Sequence, residues 1–143
     1  MNGQSRDYGL AYGHSPIAAN VVCVDFDGTL YPWGDLYSRA RPNPGAVEAV
    51  KRMKEAGFRI VIFTSRLSPT WTFAEHESMT GQYNYIQDML LRDGIPFDDI
   101  TCEKVPSIAY IDDRAVVYNG NDAEEWGDIA DAIISTYGSG VNE

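Results

Sequence analysis

The sequence predicts an α/β fold, a three-layer Rossmann-like domain on a central, mainly parallel sheet. Three observations predict it. The runs NVVCVDF (20–26), FRIVIFT (58–64) and SIAYID (107–112) are apolar nearly throughout, as strands covered on both faces are. Segments of helical spacing alternate with them. Each run also ends in polar residues: Asp25 to Asp27, Thr64 to Arg66, and Asp112 to Arg114. Ligands of open α/β sheets bind outside the carboxyl ends of the strands, so these groups should share one rim.

The elements follow in order. After the strand at 20–26, residues 44–56 (PGAVEAVKRMKEA) predict a helix. Val47, Val50 and Met53 form its apolar stripe, Pro44 suits its first turn, and Gly57 ends it. The strand at 58–64 comes next, then a loop over 68–81. A second helix over 82–92 carries Tyr85, Ile86, Met89 and Leu90 at core spacing and stops at Gly94. A short strand at 99–102 precedes the one at 107–112. The stretch 122–137 (DAEEWGDIADAIISTY) is the last helix, with acidic residues in its favourable first turn.

The chain has 143 residues, enough for one domain. Residues 1–19 read as a flexible arm without a hydrophobic signal core, 20–137 as the folded domain, and 138–143 as a frayed tail. A formal charge of −10 argues against a broad electrostatic grip on nucleic acid or on an anionic membrane. No apolar run reaches the length of a membrane span. Cys23 and Cys102 are too few for a disulfide framework, Cys23 fits a core position, and a reducing cytoplasm is the expected location.

The rim raises a problem of charge. Asp25, Asp27, Asp112 and Asp113 repel one another, and a divalent cation resolves this. All-oxygen ligands with open positions for water and phosphate favour Mg²⁺. Asp25 and Asp112 are the candidate ligands, with Asp113 in direct or water-mediated contact and the backbone carbonyl of Asp27 added. Taken alone, an Asp-Asp pair after a strand more often just begins a loop. Thr64 and Ser65 offer hydroxyls and N–H groups to an anion, or are simple caps. Lysine occurs only at 51, 54 and 104, and only Lys104 is placed by sequence to balance charge at the rim. A metal, a lysine and a hydroxyl around a phosphoryl group suit carboxylate attack on phosphorus, which divides one hard step into two.

DFDGTL, then Thr64 after an apolar strand, then Lys104, then Asp112-Asp113 resembles the haloacid dehalogenase (HAD) superfamily in the order of its four motifs. The stretch GIPFDDITCEKVPSIAYIDDRA also looks like small microbial and phage hydrolases of that superfamily. The resemblance spans about residues 20–137. It implies a Mg²⁺-dependent phosphatase working through an aspartyl-phosphate. Asp25 would be the nucleophile, Asp27 the general acid and then base, Thr64 the phosphoryl-binding hydroxyl and Lys104 the stabilising cation. Asp112 and Asp113 would complete the metal site. Gly28, Ser65 and Arg66 are the candidate substrate-binding residues. Arg66 resembles an arginine of the polynucleotide 3′-phosphatase branch; pairing with an acid is the competing reading.

Two departures from the family pattern are visible. The stretch 102–107 is too short for a helical crossover, so the strand at 99–102 is either vestigial or unusually placed. The intervals 31–43 and 67–81 are too short for a cap domain, so the site is expected to be open. Tyr31, Trp33, Trp71 and Phe73 flank its expected entrance, as stacking or packing groups. Three readings follow: a phosphatase of small phosphate monoesters such as nucleotides, a phosphatase of polynucleotide ends, which the acidic charge disfavours, and a non-catalytic HAD-like binding protein.

Overall fold

The computed structural model describes residues 18–34, 37–69, 78–120 and 122–140. They fall into two units, one up to Asp113 and one from Arg114 onward.

The first unit holds β1 (Val21–Asp25), α1 (Ala46–Glu55), β2 (Arg59–Phe63), α2 (Met79–Arg92), β3 (Asp99–Thr101) and β4 (Ala109–Ile111). The strands form one sheet in the order β3-β2-β1-β4. Every neighbouring pair is parallel. This is the expected α/β, Rossmann-like layout. Among the described residues no second domain is inserted between β1 and α1 or between β2 and α2.

Alternation along the strands sorts the side chains. Val22 and Val24 of β1, Ile60 and Ile62 of β2, and Ile100 of β3 share one face. They pack with Val50 of α1 and with Tyr85, Ile86, Met89 and Leu90 of α2 in one core. Cys23 and Val61 are equally buried but point to the opposite face, with Tyr110 of β4 beside Cys23. The purely apolar centres of β1 and β2 are therefore the signature of strands covered twice.

Boundaries differ from expectation in ways that local chemistry explains. Helix α1 starts at Ala46, because Pro44 and the left-handed Gly45 form the turn ahead of it. Helix α2 starts at Met79, three residues before the expected 82. Ser78 caps it by accepting the Gly81 N–H, and that cap outweighs the weak helix formers Thr80 and Gly81. Residues 65–67, ahead of the expected loop, form a single 3-10 turn, Ser65–Leu67. The short strand at 99–101 is neither vestigial nor beside β4. It lies on the far edge next to β2, while β4 lies on the other edge next to β1. Residues 102–108 therefore cross the sheet's width without a helix, a span of about 14 Å that an extended chain of this length covers.

Tyr31 ties the loop after β1 to α2. It is buried, and its hydroxyl donates to Asp93 Oδ2 at 2.6 Å and to the Met89 carbonyl at 3.2 Å. Burial, then the Asp93 bond, push its phenol above the ordinary range. Arg92 also bonds Asp93, which holds that carboxyl below its usual value.

The second unit contains α3 (Glu125–Tyr137), three residues shorter at its start than expected. Glu125 accepts the Asn119 N–H, and the Tyr118 and Trp126 rings lie 5.2 Å apart. Gly138 does not end the helical path; a 3-10 turn, Gly138–Gly140, continues it. Among the described residues no helix is long and apolar enough to cross a membrane.

Replacing Tyr31 with Phe should lower stability by about 1.5–3 kcal/mol, the worth of a hydrogen bond to a charged group. Urea unfolding with an unchanged m-value is the measurement; an unchanged midpoint would show that the Tyr31–Asp93 bond contributes nothing.

Candidate active site

The ends of β1 and β4 are adjacent in the sheet, and their acids meet there. One carboxylate oxygen from each of Asp25, Asp112 and Asp113 lies within 4.8 Å of the others. Asp25 is half-buried, while Asp112 and Asp113 are exposed. Such a set of hard oxygen donors fits a small divalent cation.

The loop after β1 is tightly folded. Gly28 N–H donates to the Tyr31 carbonyl at 2.7 Å, Tyr31 N–H to Phe26 at 3.1 Å and Leu30 N–H to Asp25 at 3.3 Å. Gly28 adopts φ +81°, and a Cβ there would sit 2.4 Å from both Asp113 Oδ2 and Trp33 Nε1. Glycine is required twice, by the backbone and by the close approach. Its place in the structure is under Asp113 and Trp33.

Two further side chains organise the acids: Thr29, not among the candidate site residues, and Trp33, expected only at the entrance. Thr29 donates its hydroxyl to Asp25 Oδ2 at 3.1 Å and accepts the Asp113 N–H at 3.1 Å, so it bridges the two strand ends. Its spacing of four from Asp25 inside DFDGT is the one sequence signal for this. Trp33 donates its indole N–H to Asp113 Oδ2 at 3.1 Å while remaining 59% exposed. Nothing in the sequence marks that contact, because the partners are far apart along the chain. Tyr31, expected at the entrance, is instead in the core, and Trp71 and Phe73 lie outside the described residues.

Burial, then the Asp112 charge, raise the Asp25 carboxyl to about 7. Thr29 opposes this by bonding the charged form, and Asp113 adds to the rise. Without a cation, Asp25 is therefore partly protonated near neutral pH. Cys23, two residues earlier, is raised to about 11, first by burial and then by Asp25 and Asp112, with Lys104 opposing. Lys104 is thus close enough for its charge to be felt at Cys23. Its ammonium lies 4.9 Å from the Tyr110 ring centroid, and the Tyr110 hydroxyl donates to the Val105 carbonyl.

Thr64 follows β2 directly and is almost wholly buried, its hydroxyl accepting the Arg66 N–H at 3.1 Å. Ser65 is exposed in the turn that follows. Arg66 departs from the phosphate-contacting expectation. It is 6% exposed, and its Nε and Nη2 each donate at 2.8 Å to a different oxygen of Asp27. The competing reading, an arginine paired with an acid, is the observed one, except that the pair is buried and not on the surface. Asp27 therefore faces Arg66, while Asp25 faces Asp112 and Asp113.

No family model matches the chain, and no curated protein matches it. Among solved structures, the chain is similar to a conserved protein of Bacteroides thetaiotaomicron, with 22% identity and a TM-score of 0.49 over 82% of this chain and 92% of that one. A protein of Vibrio cholerae gives 26% identity and a TM-score of 0.45 over 79% and 98%. A D,D-heptose 1,7-bisphosphate phosphatase from B. bronchiseptica, complexed with magnesium and phosphate, gives 20% identity and a TM-score of 0.40 over 82% and 63%.

The raised Asp25 fixes the sign of a pH effect. Between its unfolded value near 4 and its folded value of about 7, the folded chain holds more protons than the unfolded one. Stability without divalent cations should therefore rise on acidification from pH 8 to pH 5, by on the order of a few kcal/mol. Saturating Mg²⁺ should raise the pH 8 midpoint and flatten the trend. Thermal melts across this window, with EDTA or Mg²⁺, check both; a metal-free midpoint that falls between pH 8 and pH 5 would contradict the assignment.

Proposed function

We propose that this protein is a Mg²⁺-dependent phosphomonoesterase of the HAD type, acting on small phosphate monoesters that include nucleotides. The observation that carries the reading is the cluster of Asp25, Asp112 and Asp113 at adjacent strand ends, with Asp25 the first residue of DFDGT. A cation held there by these carboxylates and the Asp27 carbonyl would offset their charge and that of the phosphoryl oxygens.

The chain's own residues supply the steps. Thr64, Ser65 and Lys104 bind and orient the phosphoryl group. Asp25 attacks phosphorus through a carboxylate oxygen as the bond to the leaving oxygen breaks. Asp27, which enters this step as the protonated acid, gives that oxygen its proton and is left as the carboxylate. Water then attacks the aspartyl-phosphate, Asp27 takes its proton, and inorganic phosphate departs with the Asp25 carboxylate restored.

Two observations bear on the substrate. The exposed Trp33 beside Asp113 offers a stacking face to a nucleobase, which favours nucleotides. Arg66, on which the polynucleotide-end reading leaned, is engaged by Asp27. That reading is the second choice, and a non-catalytic binding protein the third.

Release of phosphate from p-nitrophenyl phosphate with Mg²⁺ should be lost at least 10³-fold in Asp25→Asn, on the order of the loss when a catalytic nucleophile is removed. Failure of the wild type to turn over any phosphate ester with any divalent cation would leave only the binding reading. A panel of nucleotides against 3′-phosphorylated oligonucleotides separates the two enzymatic readings, and we expect the nucleotides to be preferred.

A further inference from the structure

The best-bonded ion pair at the rim joins Asp27 to Arg66, and the phosphatase reading leaves Arg66 without a task. The pair is bidentate, with both N–O distances at 2.8 Å and both side chains largely buried. Arg66 Nη1 also donates to Gln82 Oε1 at 3.3 Å. Its Cζ lies 5.7 Å from the Phe26 ring centroid and 5.5 Å from that of Tyr85. The guanidinium is thus held by the loop after β1 on one side and by α2 on the other. The ladder brings this about. Asp25 pairs with Phe63, so the turns that follow, carrying Asp27 and Arg66, leave the sheet side by side.

Resting on the phosphatase reading, we propose that Arg66 is a positioning residue that orients the Asp27 side chain, forking both oxygens of the ionised carboxylate and keeping the unprotonated oxygen when Asp27 carries its proton, and that it does not bind the substrate phosphate. A buried guanidinium that left Asp27 for a phosphate would abandon a satisfied fork and two ring faces, and would strand a half-buried carboxylate. A fork also does what a point charge cannot: it fixes the plane of the carboxylate as well as its place. Proton transfer to a leaving oxygen needs that alignment, and so does the later capture of a proton from water.

The test uses leaving groups that differ in their need for a proton. Nitrophenolate is a stable anion and departs without one, whereas an alkoxide does not. The ratio kcat/KM reports the steps up to leaving-group departure, so hydrolysis of the aspartyl-phosphate does not mask the difference. Arg66→Lys and Arg66→Gln should lose about 10²-fold or more in kcat/KM for an alkyl phosphate such as glycerol phosphate, the scale of general-acid catalysis. They should lose at most a few-fold for p-nitrophenyl phosphate, and inhibition by inorganic phosphate should be unchanged. Arg66→Gln added to Asp27→Asn should cost no more than about twofold further, as expected when one residue acts through the other. Each comparison is internal to one folded sample, so partial unfolding of a variant does not mimic it.

Equal losses on both esters, weakened inhibition by phosphate, or full additivity with Asp27→Asn would overturn the positioning role while leaving the phosphatase reading intact. No turnover of either ester by the wild type would overturn that reading, and the role of Arg66 with it.

Discussion

Repulsion among acidic groups at the end of a buried sheet is the constraint around which the first unit is arranged. β1 delivers Asp25 out of a strand whose centre is apolar on both faces, and β4 delivers Asp112 and Asp113 next to it. Burial raises the proton affinity of Asp25, and the like charge of Asp112 beside it adds to that. The fold lowers the cost locally, with the Thr29 hydroxyl on Asp25 and the Trp33 indole on Asp113. A cation bound there would remove the rest.

The same constraint explains why two aspartates two residues apart have separate surroundings. Asp25 stays with the acidic cluster, while the turn carries Asp27 to Arg66. Phe26 between them enters the core and supplies part of the wall behind the guanidinium. Gly28 allows the turn, and its missing side chain leaves space for Asp113 and Trp33. Further on, Tyr31 fastens the loop to α2 through Asp93 and the Met89 carbonyl. A short segment therefore sets the environment of both carboxylates and anchors itself at its far end. That anchoring matters for any proton transfer that depends on the direction of Asp27.

Several features were legible because their signals are local. The apolar centres of β1 and β2, the stripe of Val47, Val50 and Met53, and the core spacing of Tyr85, Ile86, Met89 and Leu90 follow from strand and helix periods. The start of α2 was less so, since Ser78 acts through one hydrogen bond where the residues that follow have weak helix propensity. For β3 the sequence left two readings open, vestigial or unusually placed, and the second is the observed one. β3 and β4 occupy opposite edges, and sheet order is a long-range property that local spacing does not encode.

By itself the sequence determined that polar groups would end three parallel strands, and that aspartates would gather where two of those ends meet. Periodicity and alternation suffice for that, because they constrain each residue relative to its own strand. The tertiary structure alone decided the partners: Trp33 on Asp113, Lys104 over Tyr110, and Arg66 on Asp27 rather than turned toward a substrate. An arginine after a strand has a long side chain and a choice of anions. Which one it takes depends on what the neighbouring turn and α2 place around it, and those lie 39 and 16 residues away.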